Sequence, residues 1–134
     1  MRSTKIVTSF IKNNEKILLL KRSNNVKTMK GLWAGISGII EKNEEPLSRA
    51  KIEIYEEVGI SENKIKLVKA AQEIKIHSPQ YENHEWEIFP FLFEAQKPEI
   101  KLNWENSEYA WINIEELPNY KTVPSLDKVL FNLL

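Results

Sequence analysis

The chain has no cysteine among its 134 residues, which excludes disulfides, cysteine-based zinc sites and thiol catalysis. Histidine is nearly absent, represented by His77 and His84 alone. There is no excess of charge: nineteen basic residues cancel nineteen acidic ones. No global field therefore draws the chain toward DNA, RNA or anionic lipid. The N-terminal Met1-Arg2-Ser3-Thr4-Lys5 leads into a polar-punctuated strand pattern rather than an unbroken apolar segment. Neither a signal peptide nor a membrane span is expected, and a cytoplasmic protein is the default. A G-x-S-x-G elbow, a Walker lysine loop and a G-x-G-x-x-G turn are all missing, and Gly35-Ile36-Ser37-Gly38 does not complete a nucleophile elbow. What remains is ordinary soluble composition, with 42% hydrophobic and 28% charged residues. The length suits one domain, at roughly 100–200 residues per domain.

Thr4 to Lys12 reads as a strand, Asn13-Asn14 as a turn, and Lys16 to Arg22 as a second strand, together a hairpin. Ser23 to Lys30 is a polar loop and Leu32 to Ile36 a short strand. Pro46 to Val58 is the clearest helix, because proline suits the first turn and Gly59 the position after the last. Leu47, Ala50, Ile54 and Val58 give it one core-facing stripe. Ile65 to Ile76 is strand-rich with a break at Ala70-Ala71, Ser78 to His84 a polar loop, and Glu85 to Glu94 an aromatic strand. A last strand near Tyr109 to Ile112 precedes an amphipathic helix from Val123 to Leu134. Mixed strands with two interleaved helices predict an α/β or α+β sandwich.

Within the first helix, Glu53, Glu56 and Glu57 lie at i, i+3 and i+4 and share a face. Like charges so spaced cost roughly 0.2–0.5 kcal/mol per pair on a bare helix. Two of them also sit in the last turn, at the negative end of the helix dipole. A divalent cation reverses both penalties, and hard Mg²⁺ or Mn²⁺ prefers carboxylate oxygens. Such ions keep positions open for substrate phosphates, so the cluster points to phosphate chemistry. A solvated acidic face beside lysines is the alternative.

The surrounding pattern favours the cation. Gly38, Glu44, Glu53, Ile54, Glu56, Glu57, Gly59 and Ile60 fit G-x5-E-x7-R-E-U-x-E-E-x-G-U, where U is a bulky apolar residue. This resembles the Nudix box, with Ile52 in place of the usual arginine. Lys21-Arg22, Gly31-Leu32-Trp33, Ala110-Trp111-Ile112 and Glu115-Glu116-Leu117-Pro118 are similar to flanking family segments. The resemblance implies a Nudix α/β/α sandwich, a mixed β-sheet between helices, as a single domain over 1–134. It implies metal-dependent hydrolysis of a diphosphate bond in a nucleotide or nucleoside diphosphate derivative, with Mg²⁺ or Mn²⁺ as cofactor. Glu53, Glu56 and Glu57 are then catalytic carboxylates and metal ligands, joined by the backbone carbonyl of Ser37. Gly38, Glu44 and Gly59 shape the box. Partners are limited to a small nucleotide substrate, with no membrane and no stable nucleic-acid complex; family analogy allows a homodimer. The alternative is a Nudix-fold nucleotide-binding or regulatory module without turnover.

The family arginine normally pairs with a box glutamate. Arg49, four residues before Glu53, is the expected substitute, against the alternative of a plain surface arginine. Asn43 stands where glycine is frequent, and asparagine tolerates positive φ. Lys21 and Arg22 are candidates for phosphate contact or ordinary strand-end charge. Trp33 is a candidate for substrate contact or packing. Trp86, Phe89, Phe91 and Phe93 are expected to supply a strand face and its edges, with stacking of a nucleobase there as the alternative. His77 and His84 bracket a loop that could line a substrate mouth, although two lone histidines in a loop are more often solvated, and Glu82 or Glu85 could supply an extra loop base.

Overall fold

The computed structural model describes residues 2–77 and 82–134. β1 (Arg2–Asn13) and β2 (Lys16–Arg22) form the expected hairpin, turning at Asn14 with φ 57°. Lys12 and Asn13 pair with Ile17 and Lys16, and beyond them the two strands separate. Along Ile17 to Arg22, β2 pairs with β8 (Asn106–Ile112), while β4 (Ile36–Ile39) takes up Ile6 to Ser9 of β1. On its other edge β1 lies parallel to β7 (His84–Glu94), in register from Arg2–His84 to Lys12–Glu94. β3 (Trp33–Ala34) pairs with β2, and β5 (Lys66–Ala70) and β6 (Ile74–His77) both pair with β7, closing a mixed eight-stranded sheet.

Alternation along the strands explains the run Ile17-Leu18-Leu19-Leu20. Leu18 and Leu20 face α1 (Pro46–Val58), with Val7, Ile11, Ile54, Val58, Phe91 and Phe93. Ile17 and Leu19 face the other layer, with Phe10, Leu92, Ile112, Leu126, Val129 and Leu130. A strand covered on both faces reads as continuously apolar. The architecture is the α/β sandwich of the Nudix type, with α1 on one face and α2 (Leu126–Phe131) on the other. Among the described residues no helix is long and apolar enough to cross a membrane.

Several expected boundaries move, each for a local reason. The strand expected over 32–36 divides in two, because Trp33 and Ala34 pair with β2 whereas Ile36 onward pairs with β1. The break expected at Ala70-Ala71 falls opposite Pro90, which has no N–H to give; its carbonyl instead accepts the Ala71 N–H at 3.2 Å. The C-terminal helix expected from Val123 is shorter, beginning at Leu126. Pro124 disfavours helical backbone at Val123, and Ser125 adopts a left-handed φ of 67°. β8 begins at Asn106 rather than Tyr109, three residues that prove decisive for the site. Of the loop expected over 78–84, residues 78–81 lie outside the described residues, and His84 opens β7.

Candidate active site

α1 occupies the span expected from Pro46 and Gly59. Pro46 sits in its first turn, and Gly59, at φ 75°, sends its N–H to the Tyr55 carbonyl at 3.0 Å. Ala50, Ile54 and Val58 fix which side of the helix meets the sheet, and Glu53 and Glu57 flank that stripe. Both are therefore buried, at 8% and 4% exposure, whereas Glu56 is exposed. The helix thus separates the three glutamates expected on one face into a buried pair and an exposed neighbour.

Glu57 Oε1 accepts a hydrogen bond from Asn106 Nδ2 at 3.3 Å, while its Oε2 is buried with no hydrogen-bond partner. Burial above all, then the charges of Glu105 and Glu53, pushes the Glu57 carboxyl well above its ordinary value of 4.5. Glu53 is raised too, chiefly by burial, although Arg49 opposes the shift. Two carboxylates cannot donate to one another, so only a proton or a cation between them satisfies both.

This arrangement sets the pH response of the metal-free protein. A carboxyl raised in the folded state binds its proton more tightly folded than unfolded. Stability is then highest near the ordinary carboxylate value and falls as pH rises through the folded values of Glu57 and Glu53. Thermal melting in chelator is expected to show a lower midpoint at pH 8 than near pH 5.5. A midpoint that rises over this interval contradicts the buried pair. Glu44 acts in the opposite sense: its hydrogen bond from Arg49 lowers its carboxyl, so its contribution is lost only on acidification below 4.5.

Arg49 joins the box loop to the helix. Its Nη2 and Nε donate to Glu44 Oε2 at 2.6 Å and Oε1 at 2.9 Å, and its Nη1 donates to Glu53 Oε2 at 3.0 Å. The Glu41 N–H adds a 2.6 Å hydrogen bond to Glu44 Oε1. Asn43 holds the loop at φ 68°, the left-handed conformation that asparagine accepts. Gly38 packs directly on Glu53, and a Cβ there would overlap the Glu53 carboxyl group.

These groups open on a chamber of 510 Å³. Ser37, Gly38, Glu53 and Glu56 form part of its lining, and Ile6, Trp86 and Ile88 another. The Ser37 hydroxyl lies 3.0 Å from that of Thr8. Arg22 also lines the chamber, its Nε donating to the Thr28 carbonyl at 3.1 Å.

Other candidates lie elsewhere. Lys21 is ion-paired with Glu108 at 3.2 Å and does not line the chamber. Trp33 packs edge-on against Tyr120, with ring centres 5.0 Å apart, and does not line the chamber. Phe91 and Phe93 are core residues under α1, and Phe89 packs on the same core, leaving Trp86 as the aromatic of that strand on the chamber. His84 is buried with Nε2 2.7 Å from the Thr4 hydroxyl, and His77 is exposed at the end of β6. Neither histidine, nor Glu82 or Glu85, lines the chamber. Glu105 does, and sequence reasoning missed both it and Asn106. Nothing in Asn103-Trp104-Glu105-Asn106 distinguishes it from a polar connection until β2 and β8 are paired. Among the described residues no three acidic or imidazole side chains converge at metal-binding distance.

Comparison with known proteins agrees with this geometry. The family profile described as the NUDIX domain matches residues 3–133. An RNA pyrophosphohydrolase of Bartonella bacilliformis is 35% identical over 75% of this chain and 69% of its own length. A dihydroneopterin triphosphate diphosphatase of Haemophilus influenzae is 26% identical over 96% of this chain and 87% of its own. The crystal structure of a MutT protein from Methanosarcina mazei superposes with a TM-score of 0.76 at 23% identity, covering 97% of this chain and 91% of that one. The match along nearly the whole chain, with Gly38, Glu53 and Glu56 lining one chamber, shows that this chain belongs to the NUDIX domain family, the Nudix hydrolases, enzymes that act on pyrophosphate bonds.

Proposed function

We propose that the protein is a divalent-metal-dependent pyrophosphohydrolase acting on a nucleotide or nucleoside diphosphate derivative, in the cytoplasm. One observation carries the reading: Glu57 Oε2 is buried without a hydrogen-bond partner beside a second buried carboxylate, Glu53, which lines an open chamber. Leaving a carboxylate oxygen so placed is costly unless a proton or a cation completes it, and a cation is what an acidic pair beside an open chamber can recruit. The donor set is all oxygen, which suits hard Mg²⁺ or Mn²⁺, and such ions need only one or two protein carboxylates besides water and phosphate. Bound there, the ion would neutralise charge on the departing phosphate and acidify a coordinated water.

The residues of this chain divide the remaining work. Glu57 and Glu56 are the principal ligands, with Glu53 contributing through the carboxylate oxygen that Arg49 leaves open. The Ser37 carbonyl is the backbone ligand by family resemblance. Arg22 is the cation placed to meet substrate phosphate, its guanidinium retaining N–H groups besides the Nε bonded to Thr28. Trp86, Ile6 and Ile88 offer an apolar wall for a flat base-like group. Lys21 and Trp33, occupied by Glu108 and Tyr120, are left out of substrate binding.

The test is phosphate or pyrophosphate release across a panel: nucleoside triphosphates, damaged nucleotides, dihydroneopterin triphosphate, dinucleoside polyphosphates, nucleotide sugars and triphosphorylated RNA ends. Each is run with Mg²⁺, with Mn²⁺ and with chelator. Turnover on at least one member that chelator abolishes is the expected result. Nucleotide binding by calorimetry with no release on any member overturns the enzyme reading and favours a binding module, a reading to which Ile52 lends weight.

A further inference from the structure

We propose that Arg49 is the positioning residue of this site, holding Glu53 from one turn before position 52, where the box pattern carries its arginine. The inference rests on the reading of Glu53 as a carboxylate of the active centre. Position 52 holds no charge: it is Ile52, a partly exposed apolar side chain. Arg49 lies within reach because four residues of helix bring its side chain over Glu53. All three of its nitrogen positions are engaged, Nη1 on Glu53 and the Nη2–Nε edge on Glu44. Its side chain is only 15% exposed, so the contact is not a solvated surface pair.

The geometry does two things at once. The Nη1 contact fixes one oxygen of Glu53 and therefore the direction of the other. The two-pronged contact with Glu44 fixes the guanidinium plane itself, because Glu44 is anchored in turn by the Glu41 N–H. A single point charge cannot reproduce this, since a lysine ammonium has no planar fork. Of the other two arginines, Arg2 begins an exposed strand end and Arg22 is bonded to Thr28, so neither serves the acidic pair. The charge missing from position 52 is thus present, moved along the helix.

The experiment compares wild type, R49A, R49K and R49A/I52R. Mn²⁺ affinity is measured on chelator-stripped protein, and kcat and KM on the substrate that the panel identifies. Loss of a residue that orients a ligand costs about 10–100-fold in metal affinity or activity. R49A is expected to bind Mn²⁺ about 10-fold more weakly and to lose kcat with KM little changed. R49K, which keeps a cation and so guards against misfolding of R49A, is expected to weaken Mn²⁺ binding in the same direction. R49A/I52R, which returns arginine to its usual place, is expected to regain most of the loss. Mn²⁺ binding by R49A and R49K within about twofold of an active wild type overturns the positioning role. R49A/I52R no better than R49A overturns the relocation. A wild type that neither binds Mn²⁺ nor turns over fails at the earlier step, the functional reading itself.

Discussion

Glu57→Gln is expected to abolish turnover while making the metal-free protein more stable. The two effects share one cause. As a carboxylate, Glu57 has a buried oxygen with no donor facing it and a second acid beside it. A glutamine of nearly the same shape keeps the oxygen that accepts from Asn106 and turns an N–H₂ toward the acidic side. An unsatisfied buried polar group costs about 1–3 kcal/mol, so removing it is expected to recover roughly 1 kcal/mol, or about 4 °C in Tm for a chain of this size. The gain should be largest at neutral pH and vanish near pH 5, where Glu57 already holds a proton. Turnover should fall at least about 10²-fold, the scale for losing one electrostatic contact to developing charge. Melting curves in chelator at pH 5 and pH 7.5, beside steady-state rates, read both effects. A variant less stable than wild type at neutral pH would show that the buried carboxylate is not the source of strain. This is the usual exchange between stability and activity, read here at one atom.

Gly38→Ala is expected to damage stability and activity together. Gly38 lies in β4, paired with Val7 of β1, so its backbone has no freedom to retreat. The added methyl would occupy the space of the Glu53 carboxyl group. Overpacking of this kind costs about 1–3 kcal/mol. Glu53, tied to Arg49 at 3.0 Å, must then break its ion pair or push the strand aside. A displacement of about 1 Å at a reacting centre is enough to cost about 10²-fold in rate. The control is a double-mutant cycle with Glu53→Ala. Removing the side chain that the methyl strikes should erase most of the stability cost of Gly38→Ala, a coupling of about 1–2 kcal/mol. Costs that simply add would place the clash elsewhere.

How much of this was legible in the sequence depends on how local each signal is. The span of α1 follows from Pro46, Gly59 and a three-to-four spacing of apolar residues, all contained in one segment. The apolar run of β2 is equally local, and its burial on both faces accounts for its lack of alternation. The i,i+4 spacing alone put Arg49 beside Glu53, but its fork on Glu44 depends on how the loop from Glu41 folds back. Asn106 and Glu105 were illegible because their meaning lies in the pairing of β2 with β8, between segments about 85 residues apart. The aromatic strand was only partly legible for a related reason. Period two says which residues of β7 share a face, not which face a helix will cover, so Phe91 and Phe93 went to the core and Trp86 to the chamber. The shortened α2 turned on the backbone of Ser125, which no side-chain pattern encodes.

The parallel register of β1 on β7 has a kinetic consequence. Thr4 and His84 are 80 residues apart in sequence yet hydrogen-bonded, and Asn106 reaches Glu57 across 49 residues. Such pairings are assembled slowly, because a long loop must close before any contact rewards it. The β1–β2 hairpin and the first turns of α1 need only near neighbours and have no such delay. Burial of Glu57 is therefore expected among the last events of folding, after the strands that bury it have met. An ion that binds only the finished site has nothing to grip in the transition state. Added Mn²⁺ should accordingly slow unfolding in proportion to its binding and leave the refolding rate nearly unchanged.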